Sequence, residues 1–177
     1  MAEIKFVQYD GEAHEARFFE LNLEYLTLVD SEVYRVHGIH INPEGTVQEY
    51  LEVAFPKFTE IKPPNGIIYI LEADGEADGM GALRKLEDGV GEIKRMYIRP
   101  QHRGHGYGQE MYDRLEKKAE EFGFSTLRLD TADFPMTAAA LHIYRKNGFK
   151  EIGSYSGGEW DGRSDTDGIT IYMEKKL

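Results

Sequence analysis

The stretch "RGHGYG", residues 103–108, restricts the fold more than any other feature, because Gly104, Gly106 and Gly108 fall at alternate positions. Glycine loses more backbone freedom on folding than any other residue. A run of three therefore marks backbone that must turn tightly, or approach a ligand with no Cβ in the way. Upstream, "GEIKRMYIRP" (Gly91–Pro100) reads as a strand. Downstream, Tyr107, Met111, Leu115, Ala119 and Phe122 recur at helical steps, with Gly123 as a C-cap. A strand, a glycine loop and a helix N-terminus in that order gather backbone N–H groups around one point, which suits a phosphate. A strand-to-helix turn with no ligand is the plainer alternative.

The flanking pattern places that loop in a larger frame. Ile4–Tyr9 reads as a first strand. Glu12 to about Val36 reads as a helix with Phe18, Leu21, Tyr25 and Leu28 on one face. "GIHINPEG" (Gly38–Gly45) breaks it, and Thr46 with Glu49 forms a capping box for a second helix ending near Pro56 or Glu60. "IIYILEA" (Ile67–Ala73), "MGALRKLE" (Met80–Glu87) and Gly91–Pro100 then read as a meander with turns at Asp74–Gly79 and Asp88–Gly89. After the glycine loop and its helix come a strand (Ser125–Thr131), a helix (Pro135–Gly148) and two closing strands (Phe149–Tyr155 and Gly168–Lys176). The order is β-α-α-β-β-β-α-β-α-β-β, an α/β (α+β) fold in one domain over residues 1–177. Ser156–Gly168, which holds the single Trp160, reads as a polar, glycine-rich loop.

Composition removes several function classes. A chain of 177 residues with 41% apolar and 30% charged side chains can bury a full core. It has no Cys, which excludes disulfides, thiolate metal sites and a cysteine nucleophile, and fits a cytoplasmic location. Its net charge of -11 repels phosphate backbones, so no nucleic-acid partner is expected, and it leans weakly toward cationic small-molecule acceptors. No signal sequence and no apolar run of about 20 residues is present, so no membrane partner is expected either.

Two familiar phosphate loops fail at one residue. Walker A requires Lys and then Ser or Thr after the last glycine, and Gln109 follows Gly108. Gln109 also stands where the Rossmann fingerprint has its last glycine. The spacing that fits is Arg103-x-x-Gly106-x-Gly108 behind an antiparallel meander. It resembles the Q/R-x-x-G-x-G/A signature of the GNAT superfamily of N-acetyltransferases. "ALHIYRKNGFKEIGSY" is similar to that family's A-x-x-L/I-Y-x-x-x-G-F signature, with Ala140, Ile143, Tyr144, Gly148 and Phe149 in register. The likeness is dense from Gly79 to Tyr155. It is thin in the first two helices and in the Trp160 loop.

The resemblance implies a central mixed, mostly antiparallel sheet flanked by helices, with acetyl-CoA as cosubstrate and no metal. The pyrophosphate would rest on Arg103, Gly104, His105, Gly106, Tyr107, Gly108 and Gln109. The pantetheine arm would lie along Met96, Tyr97 and Ile98, in a splay between two strands, with an amide near Tyr97 polarising the thioester carbonyl. Thr137 stands where many members carry an Asn that bonds the pantetheine or a water. Tyr144 matches the residue that protonates the leaving thiolate; taken alone it would read as a core residue. Glu92, eleven residues before Arg103, matches the general base of some branches. It could equally be a strand-end carboxylate paired with Lys94 or Arg84, and Asp130 or a water chain are its rivals. His102 and His105 lack a third metal ligand nearby. Tyr34, His37, His40, Asp130 and Trp160 are acceptor-pocket candidates, against ordinary packing. The implied function is acetyl transfer to a primary amine, on a small molecule or a peptide, by direct attack in a ternary complex. A non-catalytic acyl-CoA-binding regulatory module of the same fold is the alternative, and the resemblance also admits a homodimer.

Overall fold

The computed structural model describes residues 2–161, 163 and 168–177, so residues 162 and 164–167 of the late polar loop lie outside the described residues. Among the described residues, seven strands form one sheet: β1 (Ile4–Gln8), β2 (Gly66–Ala73), β3 (Glu76–Glu87), β4 (Val90–Ile98), β5 (Thr126–Ala132), β6 (Lys150–Ile152) and β7 (Thr170–Lys176). Four helices among those residues accompany it: α1 (Gly11–His37), α2 (Val47–Thr59), α3 (Tyr107–Glu121) and α4 (Ala138–Lys146). The strand order is β1-β2-β3-β4-β5-β7-β6, and only the β4–β5 pair is parallel.

Alternation along the strands divides the core into two layers. Ile67, Leu71, Leu83 and Ile93 face α3 and α4 and meet Met111, Leu115, Leu141 and Tyr144. Ile68, Ile70, Met80, Ala82 and Tyr97 face α1 and α2 and meet Phe18, Leu21, Leu51 and Phe58. Gly81 fixes how closely α3 approaches: a Cβ there would lie 2.8 Å from Met111 Cγ.

The element boundaries mostly follow the local signals. Thr46 and Glu49 form the capping box of α2, Thr46 Oγ1 accepting from the Glu49 amide at 3.1 Å. Four expectations change. Leu28 is exposed, because the buried face of α1 runs through His14, Phe18, Leu21, Asn22 and Leu26 instead. β3 starts at Glu76 rather than Met80, since the turn closes at Asp74 and Gly75 and pairing with β2 resumes at once. Pro135–Thr137 forms a 3-10 turn ahead of α4, with the Thr137 hydroxyl accepting from the Phe134 amide. The strand expected over Phe149–Tyr155 pairs only across Lys150–Ile152.

Candidate active site

β4 and β5 pair over three positions, Val90–Glu92 against Thr126–Arg128, and then diverge. The rest of β4 keeps its bond to β3 and leaves its other edge unpaired, so a wedge opens beside Ile93–Ile98. The glycine loop lies beyond the end of β4. Gly104 (φ +79°) and Gly106 (φ +86°) adopt backbone that L side chains rarely take. Gly106 is the N-cap of α3 and supplies no side-chain cap. Among the described residues, no backbone amide of residues 104–109 donates a hydrogen bond. Helix geometry explains this for the first turn of α3. The result is six successive N–H groups free to meet one anion.

Within the wedge β4 carries a bulge. Its register against β3 shifts between Met80 and Ala82, and Arg95 takes φ +50°, a strained value for a non-glycine residue. The extra residue breaks the alternation. Ile93 and Met96 pack toward α3, whereas both Lys94 and Arg95 line the cavity on the α1 side.

Those two cations sit in a buried charge cluster assembled from distant parts of the chain. Arg84 forks onto Glu92 Oε2 at 2.6 Å, and the Tyr155 hydroxyl donates to Glu92 Oε1 at 3.0 Å. Arg95 Nη2 pairs with Glu159, and Arg95 Nη1 donates to Asn22 at 2.9 Å. The Tyr50 hydroxyl adds a bond to Glu159 at 3.0 Å. These cations hold the Glu159 carboxyl at about 2, well below the usual carboxylate range, despite its burial. Lys94 Nζ stands 3.4 Å from Glu159, 3.7 Å from Glu92 and 3.9 Å from Asp130, too far for a good bond to any of them. Burial pushes the Asp130 carboxyl up; Lys94 opposes the rise, and Glu92 and Glu159 add to it. The backbone of Gly158 covers the acids: a Cβ there would lie 3.8 Å from Asp130 Oδ2 and 3.9 Å from Glu92 Oε1.

Two hollows meet at Lys94, Arg95 and Glu159. One, of about 80 Å³, lies under α1 and has mostly apolar walls, including Val29, Val33, Ile39, Phe134 and Trp160. The other is an open groove of about 800 Å³ between α2 and the end of β3, with Lys57, Lys62, Arg84 and Lys85 on its walls.

The family model described as acetyltransferase (GNAT) matches residues 18–149. This chain belongs to the GNAT family. An IAA acetyltransferase from Azospirillum brasilense is 35% identical over 61% of this chain and 66% of its own length. An amino-acid acetyltransferase from Pseudomonas putida is 31% identical over 48% of this chain and 18% of its own length. The matches thus span less than two thirds of those relatives. Among solved structures, a Klebsiella pneumoniae protein assigned to the acyl-CoA N-acyltransferases is 28% identical. It covers 100% of this chain and 98% of its own, with a TM-score of 0.63. The PaiA N-acetyltransferase of Thermoplasma acidophilum shares the fold at 19% identity, over 99% of each chain, with a TM-score of 0.61.

In this GNAT chain the residues singled out from the sequence fall into two groups. Residues 103–109 and the β4 segment Met96–Ile98 lie together along the wedge and loop. Tyr144 is buried, and its hydroxyl makes no hydrogen bond among the described residues; burial, with Tyr25 and Asp130 nearby, pushes the phenol up so that it keeps its proton. Glu92 has a side-chain exposure of 0% and takes the pairing with Arg84. Thr137 lines the cavity, but its hydroxyl donates to backbone at Ala132 or Phe134. His40, Asp130 and Trp160 line the cavity. Tyr34 is 53% exposed and stacks on His40, and His37 packs by Phe134, both outside the cavity lining. His102 bonds Asp78 at 2.8 Å. Tyr25, Lys94 and Glu159 were not legible as site residues. Tyr25 reads as part of a helix face, and the other two as ordinary charges, until the sheet brings them together.

Proposed function

We propose that the protein is an acetyl-CoA-dependent N-acetyltransferase acting on a primary amine by direct attack in a ternary complex. The observation that carries this reading is the row of six unpartnered amides, residues 104–109, beside the wedge between β4 and β5. A pyrophosphate fits that row because it accepts several N–H bonds and carries the charge a helix N-terminus favours. The open edge of β4 at Met96–Ile98 fits an extended arm that hydrogen-bonds as a strand does, with Thr137 near its path. The Thermoplasma neighbour was solved with coenzyme A, which supports the same ligand here. When bound, acetyl-CoA supplies the activated acyl carbon.

The chain's own groups would then do three things. The bulged β4 backbone near Tyr97 donates an N–H bond to the thioester oxygen as charge grows on it. The Tyr144 phenol, kept protonated by its burial, hydrogen-bonds the departing sulfur and neutralises it. A carboxylate takes the amine's proton, Glu92 being the candidate by spacing and Asp130 its rival by position.

Calorimetry with the purified chain tests the ligand: acetyl-CoA binds, and ATP and NAD do not. No binding of either CoA or acetyl-CoA overturns the reading. A thiol-release assay against a panel of primary amines tests the reaction. Tight acetyl-CoA binding with no thiol release from any amine would favour a non-catalytic acyl-CoA-binding module.

A further inference from the structure

A cation and a carboxylate meet at the floor of the cavity under α1, neither with a hydrogen bond. Lys94 Nζ and Asp130 Oδ2 are buried without a hydrogen-bond partner, on side chains only 5% and 9% exposed. The hydroxyls of Tyr25 and Tyr144 also bond nothing among the described residues, and each lies close enough to Asp130 for its charge to be felt. Buried polar groups are paired in the great majority of cases, and leaving one unpaired costs free energy. Two such groups of opposite charge side by side describe a site made for a polar ligand atom. Every other strong charge there is already committed, Glu92 to Arg84 and Glu159 to Arg95. Asp130 is the remaining acceptor.

The cavity above these groups has mostly apolar walls, with His40, Thr131, Thr137 and Thr170 among them. Val29 and Val33 on α1, Ile39, Phe134 and Trp160 form its walls, and Arg163 closes one side by donating to the Ile41 carbonyl at 2.5 Å. An apolar wall rewards burial of hydrocarbon and penalises a second buried charge. We infer that this cavity takes a small primary amine with a single nitrogen and an apolar body, aromatic or branched, and that Asp130 anchors its ammonium and removes its proton. This rests on the acetyl-transfer reading and names the acceptor class within it.

The step balances as follows. One ammonium proton passes to Asp130 Oδ2. The freed nitrogen lone pair bonds to the thioester carbon, and the carbon–sulfur bond breaks. Tyr144 gives its proton to the departing sulfur, the second proton lost from nitrogen returns to the Tyr144 phenolate, and the Asp130 proton leaves to solvent. The groups facing Asp130 are Lys94 and Glu92 on β4, Glu159 and Tyr155 on the late loop, Tyr25 on α1 and Tyr144 on α4. Lys94 beside the incoming nitrogen favours its neutral, attacking form. Glu92, by contrast, has both oxygens taken, one by Arg84 and one by the Tyr155 hydroxyl.

The test uses the purified chain, acetyl-CoA and a thiol-release assay. 2-Phenylethylamine and isopentylamine should show kcat/KM at least tenfold above spermidine and a lysine-containing tetrapeptide. A preference for spermidine or the peptide overturns the inference and leaves acetyl transfer standing, whereas no turnover with any amine counts against acetyl transfer itself. Asp130→Asn should lower kcat/KM for 2-phenylethylamine by 100-fold or more and remove the rising limb of its pH profile, with acetyl-CoA affinity unchanged by calorimetry. A limb that survives in Asp130→Asn and disappears in Glu92→Gln overturns the role of Asp130. Val33→Phe, at a half-buried position that should fold regardless, narrows the cavity; KM for 2-phenylethylamine should rise at least tenfold with acetyl-CoA affinity unchanged. An unaltered KM overturns the placement.

Discussion

The loop that opens α3 and the cavity beneath α1 belong to opposite faces of one sheet, and they are built from different material. The loop is backbone: six amides, presented by glycines at positive φ, with no buried charge. The cavity floor is side chain: Lys94, Arg95, Asp130 and Glu159, backed by the Arg84–Glu92 pair in a cluster of three cations and three carboxylates. A backbone site is stable whether or not its ligand is present, because helix N-terminal amides are solvated when empty. A buried charge cluster has no such freedom. Each ion has lost its water, so removing one member strands the others. The first region should therefore tolerate substitution in stability while losing affinity, and the second should do the reverse.

The largest expected effect is on the charge cluster. Glu159→Ala strands Arg95 and Lys94 and should cost about 3–5 kcal/mol of stability, read as a fall in thermal midpoint. A loss below 1 kcal/mol would mean the cluster is solvated. The same carboxylate gives a pH signature. Its folded pKa of about 2 lies below the ordinary 4.5, so its stabilisation is complete above about pH 5 and drains away as pH falls toward 2. The shift corresponds to about 3 kcal/mol. Asp130 has the opposite sign: its raised pKa favours folding at low pH and costs stability as pH rises through the folded value. A denaturant-stability series from pH 6 to pH 2 should therefore fall, and should flatten in Glu159→Gln.

Next in size, Tyr144→Phe should reduce turnover by about 100-fold, a typical loss for a positioned proton donor, and leave acetyl-CoA affinity alone. An unchanged rate removes Tyr144 from the reaction. Gly106→Val forces a branched side chain into φ +86°. It should weaken acetyl-CoA binding by about tenfold or more, from a backbone strain of roughly 1–2 kcal/mol, with a smaller loss in thermal midpoint than Glu159→Ala. Equal loss in both measurements would erase the contrast between the two regions. The smallest effect belongs to neither: Thr46→Ala removes the α2 capping box and should cost about 1 kcal/mol with turnover and affinity intact.

The two regions also differ in how much of them could be read from the chain. The glycine spacing, the α3 stripe and the "IYRKNGF" segment are local, and they placed the loop, α3 and α4 where the structure has them. The meander was equally plain, apart from an overlong turn before Met80. The cavity under α1 was read only in part. His40, Asp130 and Trp160 do line the cavity, while Tyr34 and His37 turn elsewhere. A helix pattern says which face is buried but not what lies beneath it, so Tyr25 was legible as core and not as a site residue. Glu92 had two readings at the same spacing, and its pairing with Arg84 came from a neighbouring strand.

The sequence by itself determined the element order, the glycine loop that opens α3 and the family. Each depends on residues within one turn or one signature, where backbone sterics and hydrogen bonding act over a few ångströms of chain. Only the tertiary structure decided which charges are buried together, which carboxylate is left unpaired and which walls surround it. Arg84, Lys94, Asp130 and Glu159 are separated by up to 75 positions in the chain. Electrostatics in a desolvated interior depends on distance in space, which the β4 bulge and the β4–β5 divergence set.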